Sequence, residues 1–299
     1  MSFFAITPLT ISPNLVRRKR NKENLLLRGC DAMTNRPLVD KIHFNSEVEL
    51  KHFVASPQDL LAIYHSLHQL DCETKATDFS TVFSAYYDTD DHKIFRSRAT
   101  LRTRWGTLEK LGNQISVKTH GEVTKNGAIN RDEYEFPLAD KNKIDLLSIT
   151  HPDARALLPK LNEQDLHKIF TTDVDRQAID LTFTKNNKTF CFEVALDELR
   201  YFLADNKTDT PDKIFYEFEI EYHQRRSSPT ATYDEIINIF NLIVAHVKTA
   251  LPDMEMTLNK LSKAEIGFKL DHNKLNQACP VPSKALCCIP NIVRQTCIK

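Results

Sequence analysis

The alternation of apolar and polar residues changes period several times along this chain, and each change marks an element. From Glu47 the sequence runs Glu-Val-Glu-Leu-Lys. In a strand, Glu47, Glu49 and Lys51 share one face, while Val48 and Leu50 take the other. The period then lengthens. Ser56-Pro57 followed by Leu60, Ile63, Tyr64 and Leu67 predicts a helix capped by Ser56, with Pro57 in its first turn. Period-two patterns return over 81–89, 100–105, 114–119 and 130–137, with Gly112-Asn113 and Asn126-Gly127 as turn signals. The stretch 140–161 reads as mostly helical, with Pro152 near the start of a second helix. Strands follow over 173–184, 188–197 and 214–223, the first two joined by a hairpin turn at Asn186-Asn187. Ile236, Ile237, Phe240, Ile243, Val244 and Val247 make 233–249 a long amphipathic helix. A short strand is expected near 255–258, and after Phe268 the periodicity is lost.

So many short antiparallel strands, with amphipathic helices to cover them, favour an antiparallel barrel or sandwich with helices outside. Residues 1–42 read as a partly disordered N-terminal extension. They combine Pro8, Pro13 and Pro37 with the basic run Arg17-Arg18-Lys19-Arg20 and a candidate helix over 22–28. The main domain is expected over 43–270, and 271–299 reads as a cysteine-containing C-terminal tail.

The polar strand positions carry mostly charge. Arg102 and Arg104 alternate with apolar or small residues. So do Arg131, Glu133 and Glu135, and so do Glu217, Glu219 and Glu221. Glu193 and Asp197 share a face four residues apart, and Lys118 and Arg176 sit singly in strand contexts. On one strand, such a face is an ordinary solvated face of an antiparallel sheet. Repeated on most strands, with Val, Leu, Phe and Ile opposite, it points to charged faces turned inward. About eight strands enclose an interior wide enough for a small ligand. A lumen carrying both signs is too costly dry. Water, divalent metal on the carboxylates and a polyanion on the basic residues would balance it.

Composition narrows the classes further. The 299 residues carry a formal net charge of zero, which argues against nucleic-acid binding through overall basicity. With 6 glycines and neither a G-x-G-x-x-G nor a P-loop pattern, side chains rather than backbone must supply any phosphate-binding field. The 7 cysteines fit no zinc-site spacing and read as free thiols. The adjacent Cys287 and Cys288 lie near basic residues, a context for acylation, and the ending Cys297-Ile298-Lys299 is not a prenylation site. No apolar run approaches the ~20 residues of a membrane span. The opening residues place charge after a proline-broken apolar stretch, the reverse of a secretory signal, so a cytoplasmic location is expected.

Taken in order, these segments resemble the CYTH, or triphosphate tunnel metalloenzyme, superfamily. The Glu47-x-Glu49-x-Lys51 opening is similar to its signature. Tyr86-Tyr87-Asp88-Thr89, Leu101-Arg102-Thr103-Arg104, Val117-Lys118-Thr119-x-Gly121 and Arg131-x-Glu133-x-Glu135 resemble its successive strand motifs. So do Phe170-x-Thr172-x-x-x-Arg176, Glu193-x-Ala195-Leu196-Asp197, Glu217-x-Glu219-x-Glu221 and the closing Leu261-Ser262-Lys263-Ala264. The likeness spans roughly 44–268 and, within the superfamily, is greatest to the bacterial inorganic triphosphatases. Two positions depart from the pattern. Glu198-Leu199 stands where relatives often have a glycine, which predicts a longer hairpin, and Ile266 stands where an arginine often follows the closing lysine.

The resemblance implies an α+β fold, a closed eight-stranded antiparallel β-barrel with a charged lumen and helices packed outside. It implies an enzyme that hydrolyses inorganic triphosphate to diphosphate and phosphate with Mg2+ or Mn2+. Lys51, Arg102, Arg104, Lys118, Arg131, Arg176 and Lys263 would contact phosphate. Glu47, Glu49, Glu219 and Glu221 would hold metal, with Glu193 and Asp197 as weaker ligands. Glu47, Glu49, Lys51, Glu219 and Glu221 would form the catalytic set, and Glu133, Glu135 and Glu217 would orient arginines. His43, His52 and His120 read as surface residues and Trp105 as outer packing. The competing readings are a class IV adenylyl cyclase, a thiamine or nucleoside triphosphatase on the same fold, or a polyphosphate- or nucleotide-binding module without turnover. The partner is a small triphosphate, and no nucleic acid is expected beyond an RNA 5′-triphosphate end. The sequence leaves the oligomeric state open.

Overall fold

The computed structural model describes residues 46–107, 112–204 and 208–278, with the backbone alone from 273 onward. The basic run at Arg17, the helix read over 22–28, His43, and Cys279, Cys287, Cys288 and Cys297 lie outside the described residues.

The strands are β1 (Ser46–Val54), β2 (Glu73–Ala76), β3 (Ser80–Asp88), β4 (Ala99–Gly106), β5 (Gln114–Thr119), β6 (Glu122–Val123), β7 (Ile129–Pro137), β8 (His167–Lys185), β9 (Lys188–Leu203), β10 (Lys213–Tyr222) and β11 (Thr257–Asn259). The helices are α1 (Pro57–Leu67), α2 (Lys93–Arg96), α3 (Pro152–Leu157), α4 (Tyr233–Ala250) and α5 (Lys263–Ala278). Pairing runs β1-β10-β9-β8-β3-β4-β5-β7, and β7 pairs back onto β1, so eight antiparallel strands close into a barrel. Closure leaves no free edge among these eight. The short β2, β6 and β11 attach to β8, β7 and β1.

Local chemistry explains the main turns and caps. Asn186 and Asn187 both adopt left-handed φ, 53° and 59°, the geometry a two-residue hairpin requires. The hairpin they close is longer than its period-two pattern predicted. β9 continues to Leu203 through the position where a glycine was missing. Ser56 Oγ accepts from the Asp59 amide at 3.2 Å and starts α1. Thr232 and Glu235 form a reciprocal capping box at the start of α4.

Two predictions of element type differ from the structure. The stretch 140–161 holds only a short turn of 3-10 helix at Leu146–Ser148 and the six residues of α3. Its apolar residues pack over the outer face of β4 and β5, against Leu101, Ile115 and Val117, Ile144 and Ile149 from irregular chain and Ala154 from α3. From Phe268 to Ala278 the chain is helical, part of α5, where a tail was expected. Leucines and isoleucines of α1 and α4 cover the outer face of β1, β8, β9 and β10, where Val48, Leu50, Phe192, Val194, Phe218 and Ile220 are buried. His52, read as a surface residue, is buried on that side of β1 and stacks on Phe218. Trp105 stacks on Phe83 outside the barrel, as expected of outer packing.

Candidate active site

Strand parity fixes what faces the lumen. On β1, Val48 and Leu50 enter the outer core, which turns Glu47, Glu49 and Lys51 inward. Register then brings charges level across strands. Glu49 pairs with Glu221, and Lys51 with Glu219. Glu217 pairs with Asp197, Glu221 with Glu193, and Asp197 with Arg176. Glu47 faces Arg131, and Lys118 faces Glu133. The lumen therefore gathers every predicted site residue.

An ion-pair network connects them. Glu47 Oε2 accepts from Arg131 Nε at 2.8 Å and from Lys118 Nζ at 3.0 Å. Burial alone would raise the Glu47 carboxyl, but Arg131 and Lys118 hold it well below the usual carboxylate range. Glu133 lies 2.8 Å from Lys118 and 3.2 Å from Arg102. Burial is the largest effect on Glu133 and, with Glu47 and Glu135 opposing Lys118 and Arg102, pushes it up to about 7. Glu135 lies 3.7 Å from Arg104 and 3.8 Å from Arg102. Arg176 binds both oxygens of Asp197 at 2.8 Å and reaches Glu193 at 3.3 Å. Lys263, from the start of α5, donates to Glu217 and Glu219 at 2.6 Å each and lies 3.3 Å from Asp197. Asp197 thus serves a guanidinium, and Glu133, Glu135 and Glu217 each contact cations.

Three groups keep unmet charge or hydrogen-bonding capacity. No cation among the described residues lies within ion-pair distance of Glu221. Burial and the carboxylates of Glu47, Glu219, Glu133 and Glu193 push its pKa well above the ordinary range. Glu49 is fully buried. Its Oε1 lies 2.9 Å from Lys51 Nζ and 3.0 Å from Arg131 Nη2 without hydrogen-bonding geometry, and its Oε2 has no partner. Arg104 Nε is buried without an acceptor, and burial together with the neighbouring Arg102 and Arg176 lowers the pKa of its guanidinium.

These orphans test whether a cation fits. Oxygens of Glu47, Glu219 and Glu221 all lie within 4.8 Å of one another. Glu221 has no cation partner among the described residues, Glu47 meets its cations through Oε2, and Glu219 Oε1 lies 3.9 Å from Arg176, so the set keeps carboxylate oxygens for a hard divalent ion. A second group, Asp197, Glu217 and Glu219, meets the same distance test but already surrounds the Lys263 ammonium. The third, Asp180, Glu193 and His223, stands at the rim, with Asp180 bound by Arg226.

Space is available beside these groups. A cavity of ≈ 150 Å³ is lined by Arg102, Arg104, Arg176 and Lys263 with the hydroxyl residues Ser80, Ser84, Tyr86 and Thr172. A wider hollow of ≈ 1010 Å³ opens past Glu47, Glu133 and Glu221 toward His223 and Arg225. The opposite end of the lumen is apolar. There Phe170, Val174, Leu199 and Tyr201 pack against Ala264, Ile266 and Phe268 of α5. A Cβ on Gly267 would come within 2.2 Å of the Phe170 ring, so only glycine permits this fit.

Four supporting residues had no role assigned from the sequence, although Tyr86 and Asp88 belong to one of its motifs. Ser116 accepts from Arg102 Nε at 3.1 Å, and Asn259 Nδ2 donates to Glu217 at 2.7 Å. Ser116 shares parity with Lys118, which was the available signal. Tyr86 borders the two arginines, and Arg102 and Arg104 lower its phenol despite its burial. Asp88 is not in the lumen. It accepts from the amides of Ile94 and Phe95 at 2.9 Å each and anchors α2.

The model of the CYTH domain matches residues 45–243. The chain belongs to the CYTH family. Its match includes the strands that carry all the lumen charges except Lys263. Among solved structures, this CYTH barrel is similar to an adenylyl cyclase-like protein from Hippeastrum with a dominant triphosphatase activity. That likeness has 13% identity over 75% of this chain and 95% of that one, with a TM-score of 0.48. A Pyrococcus horikoshii protein matches at 14% identity over 75% and 99%, TM-score 0.43. The Mimivirus capping enzyme triphosphatase matches at 11% identity over 69% and 91%, TM-score 0.40. No curated protein matches the chain. No helix among its described residues is long and apolar enough to cross a membrane.

Proposed function

We propose that this CYTH protein is a metal-dependent triphosphatase that cleaves inorganic triphosphate to diphosphate and phosphate within its barrel. One combination carries the reading. The unsatisfied donor of Arg104, which lines the smaller cavity, and the carboxylate of Glu221, which lines the wider hollow, both face the lumen. A ligand that is both anionic and cation-binding would relieve both at once.

In this reading Arg102, Arg104 and Arg176 take the phosphate oxygens from the cavity side. Lys51, Lys118 and Arg131 supply positive field from the wall of β1, β5 and β7. Lys263 stands apart from that set, since its ammonium is shared among three carboxylates. Glu47, Glu49, Glu219 and Glu221 hold Mg2+ or Mn2+, which when bound neutralises charge on the phosphate oxygens. Glu133 and Glu135 keep Arg102 and Arg104 aimed at the cavity. Preset charges of this kind suit phosphoryl transfer, which depends mainly on positioning and electrostatics. The bacterial inorganic triphosphatases are the nearest functional model, and a cytoplasmic site of action fits it.

The deciding experiment offers tripolyphosphate, ATP, thiamine triphosphate and an RNA 5′-triphosphate with Mg2+ or Mn2+, and measures phosphate, diphosphate and cyclic AMP. Tripolyphosphate should turn over fastest and only with metal. No phosphate from tripolyphosphate under either metal overturns the reading.

A further inference from the structure

We propose that Lys263 is a tethered cation that fills the Asp197–Glu217–Glu219 triad, so that the tunnel takes one divalent ion, on Glu47, Glu219 and Glu221. The inference rests on the reading of the lumen as a metal site.

The two triads share Glu219 but differ in what their oxygens already do. In the first, Glu221 has no cation partner among the described residues, Glu47 meets Lys118 and Arg131 through Oε2, and Glu219 Oε1 comes only within 3.9 Å of Arg176. In the second, every carboxylate is engaged. Both oxygens of Asp197 take Arg176, and Oδ2 also lies 3.3 Å from Lys263. Glu217 Oε1 takes Lys263 at 2.6 Å, and Oε2 takes Asn259 at 2.7 Å. Glu219 Oε2 takes Lys263 at 2.6 Å. An ammonium has three donors and no acceptor, and here three carboxylates surround it. A metal ion at this triad would have to expel Lys263.

The fold resists that expulsion. Lys263 begins α5, and its carbonyl accepts from Tyr201 Oη at 2.9 Å. Ile266, Gly267 and Phe268 seat the helix against the apolar end of the lumen. The ammonium is therefore held by helix packing as well as by charge. Through Glu219 it also fixes one ligand of the neighbouring triad, so Lys263 acts as a positioning residue for the metal.

The test is Mn2+ binding to the full chain without substrate, by titration calorimetry and electron paramagnetic resonance. Wild type should take one ion and show the spectrum of isolated Mn2+. Lys263→Met keeps the aliphatic stem, removes the charge and should take two ions, with dipolar coupling between them. Lys263→Arg should restore one. A coupled two-ion spectrum in wild type overturns the proposal, and so does a folded Lys263→Met that still takes one. The wild-type spectrum decides the matter even if Lys263→Met does not fold. Wild type that takes no Mn2+ defeats both this proposal and the metal reading beneath it. Failure to cleave tripolyphosphate with the stoichiometries as stated removes only the proposed activity.

Discussion

Arg176 and Asp197 stand opposite each other on β8 and β9, and the guanidinium grips both carboxylate oxygens at 2.8 Å. The pair is a single unit of recognition, a fork of donors aimed by one strand and held by the next. Asp197 is fully buried, whereas Arg176 borders the cavity. The carboxylate thus spends its charge on orienting the arginine.

Replacing Asp197 with Asn should accordingly destabilise the protein as well as weaken substrate binding. It leaves Arg176 and Lys263 short of a counter-charge, and breaking a buried pair from one side costs about 3–5 kcal/mol. Urea unfolding of metal-free protein measures the loss. Unchanged metal-free stability with a loss of Mn2+ affinity would instead make Asp197 a metal ligand.

Glu221→Gln should do the opposite to stability. The folded state raises the Glu221 pKa through burial and neighbouring carboxylates. A raised folded value means its contribution is intact below about 4.5, the ordinary carboxylate value, and is lost as pH rises through the folded value. At neutral pH and without metal, the Gln variant should therefore melt higher, by about 2–4 °C for a gain near 1 kcal/mol. Mn2+ affinity and turnover should both collapse. A variant that melts lower without metal would show that Glu221 is not electrostatically frustrated.

Legibility in the sequence followed from periodicity. A strand's side-chain period is two, so Glu47, Glu49 and Lys51 had to share a face wherever β1 went. The same reasoning placed Arg102 with Arg104, and Glu217 with Glu219 and Glu221, and their apolar alternates needed helices outside. Pairwise partners were illegible because register decides them. Nothing local says that Lys263 meets Asp197, 66 residues away in the chain. α5 was missed because Ala264, Ile266, Gly267 and Phe268 fill the end of a barrel rather than one stripe of a surface helix. His52 misled because its polar ring suggests solvent, whereas period two puts it on the face of Val48, Leu50 and Val54, which α4 covers.

That buried His52 supplies a pH dependence remote from the lumen. Burial, with Lys248 nearby, lowers its pKa from 6.5 to about 4. A depressed folded value leaves stability intact above 6.5, and stability falls with pH as the unfolded chain takes up the proton first. Between neutrality and pH 4 the loss from this group is on the order of 2–3 kcal/mol. His52→Leu should flatten that part of the profile while carboxylates elsewhere keep the rest. Urea midpoints of both proteins at pH 7 and pH 4.5 measure the difference. Parallel profiles would mean that His52 gains its proton without strain in the folded state.

Arg104→Met separates binding from folding most cleanly. The side chain is only partly buried, its Nε has no acceptor, and its nearest carboxylate contact is 3.7 Å, to Glu135. Arg102 and Arg176 crowd it with like charge. Removing the guanidinium should therefore leave the melting temperature unchanged or raise it. The proposed phosphate contact disappears, and hydrogen bonds to charged groups contribute about 1.5–3 kcal/mol, so KM for tripolyphosphate should rise roughly 10–100-fold. If the interaction strengthens as phosphate charge shifts during reaction, kcat falls as well. Arg104→Lys should recover part of the affinity through charge alone, without the fork. A lower melting temperature with unchanged KM would assign Arg104 to the framework of the barrel and remove it from the phosphate site.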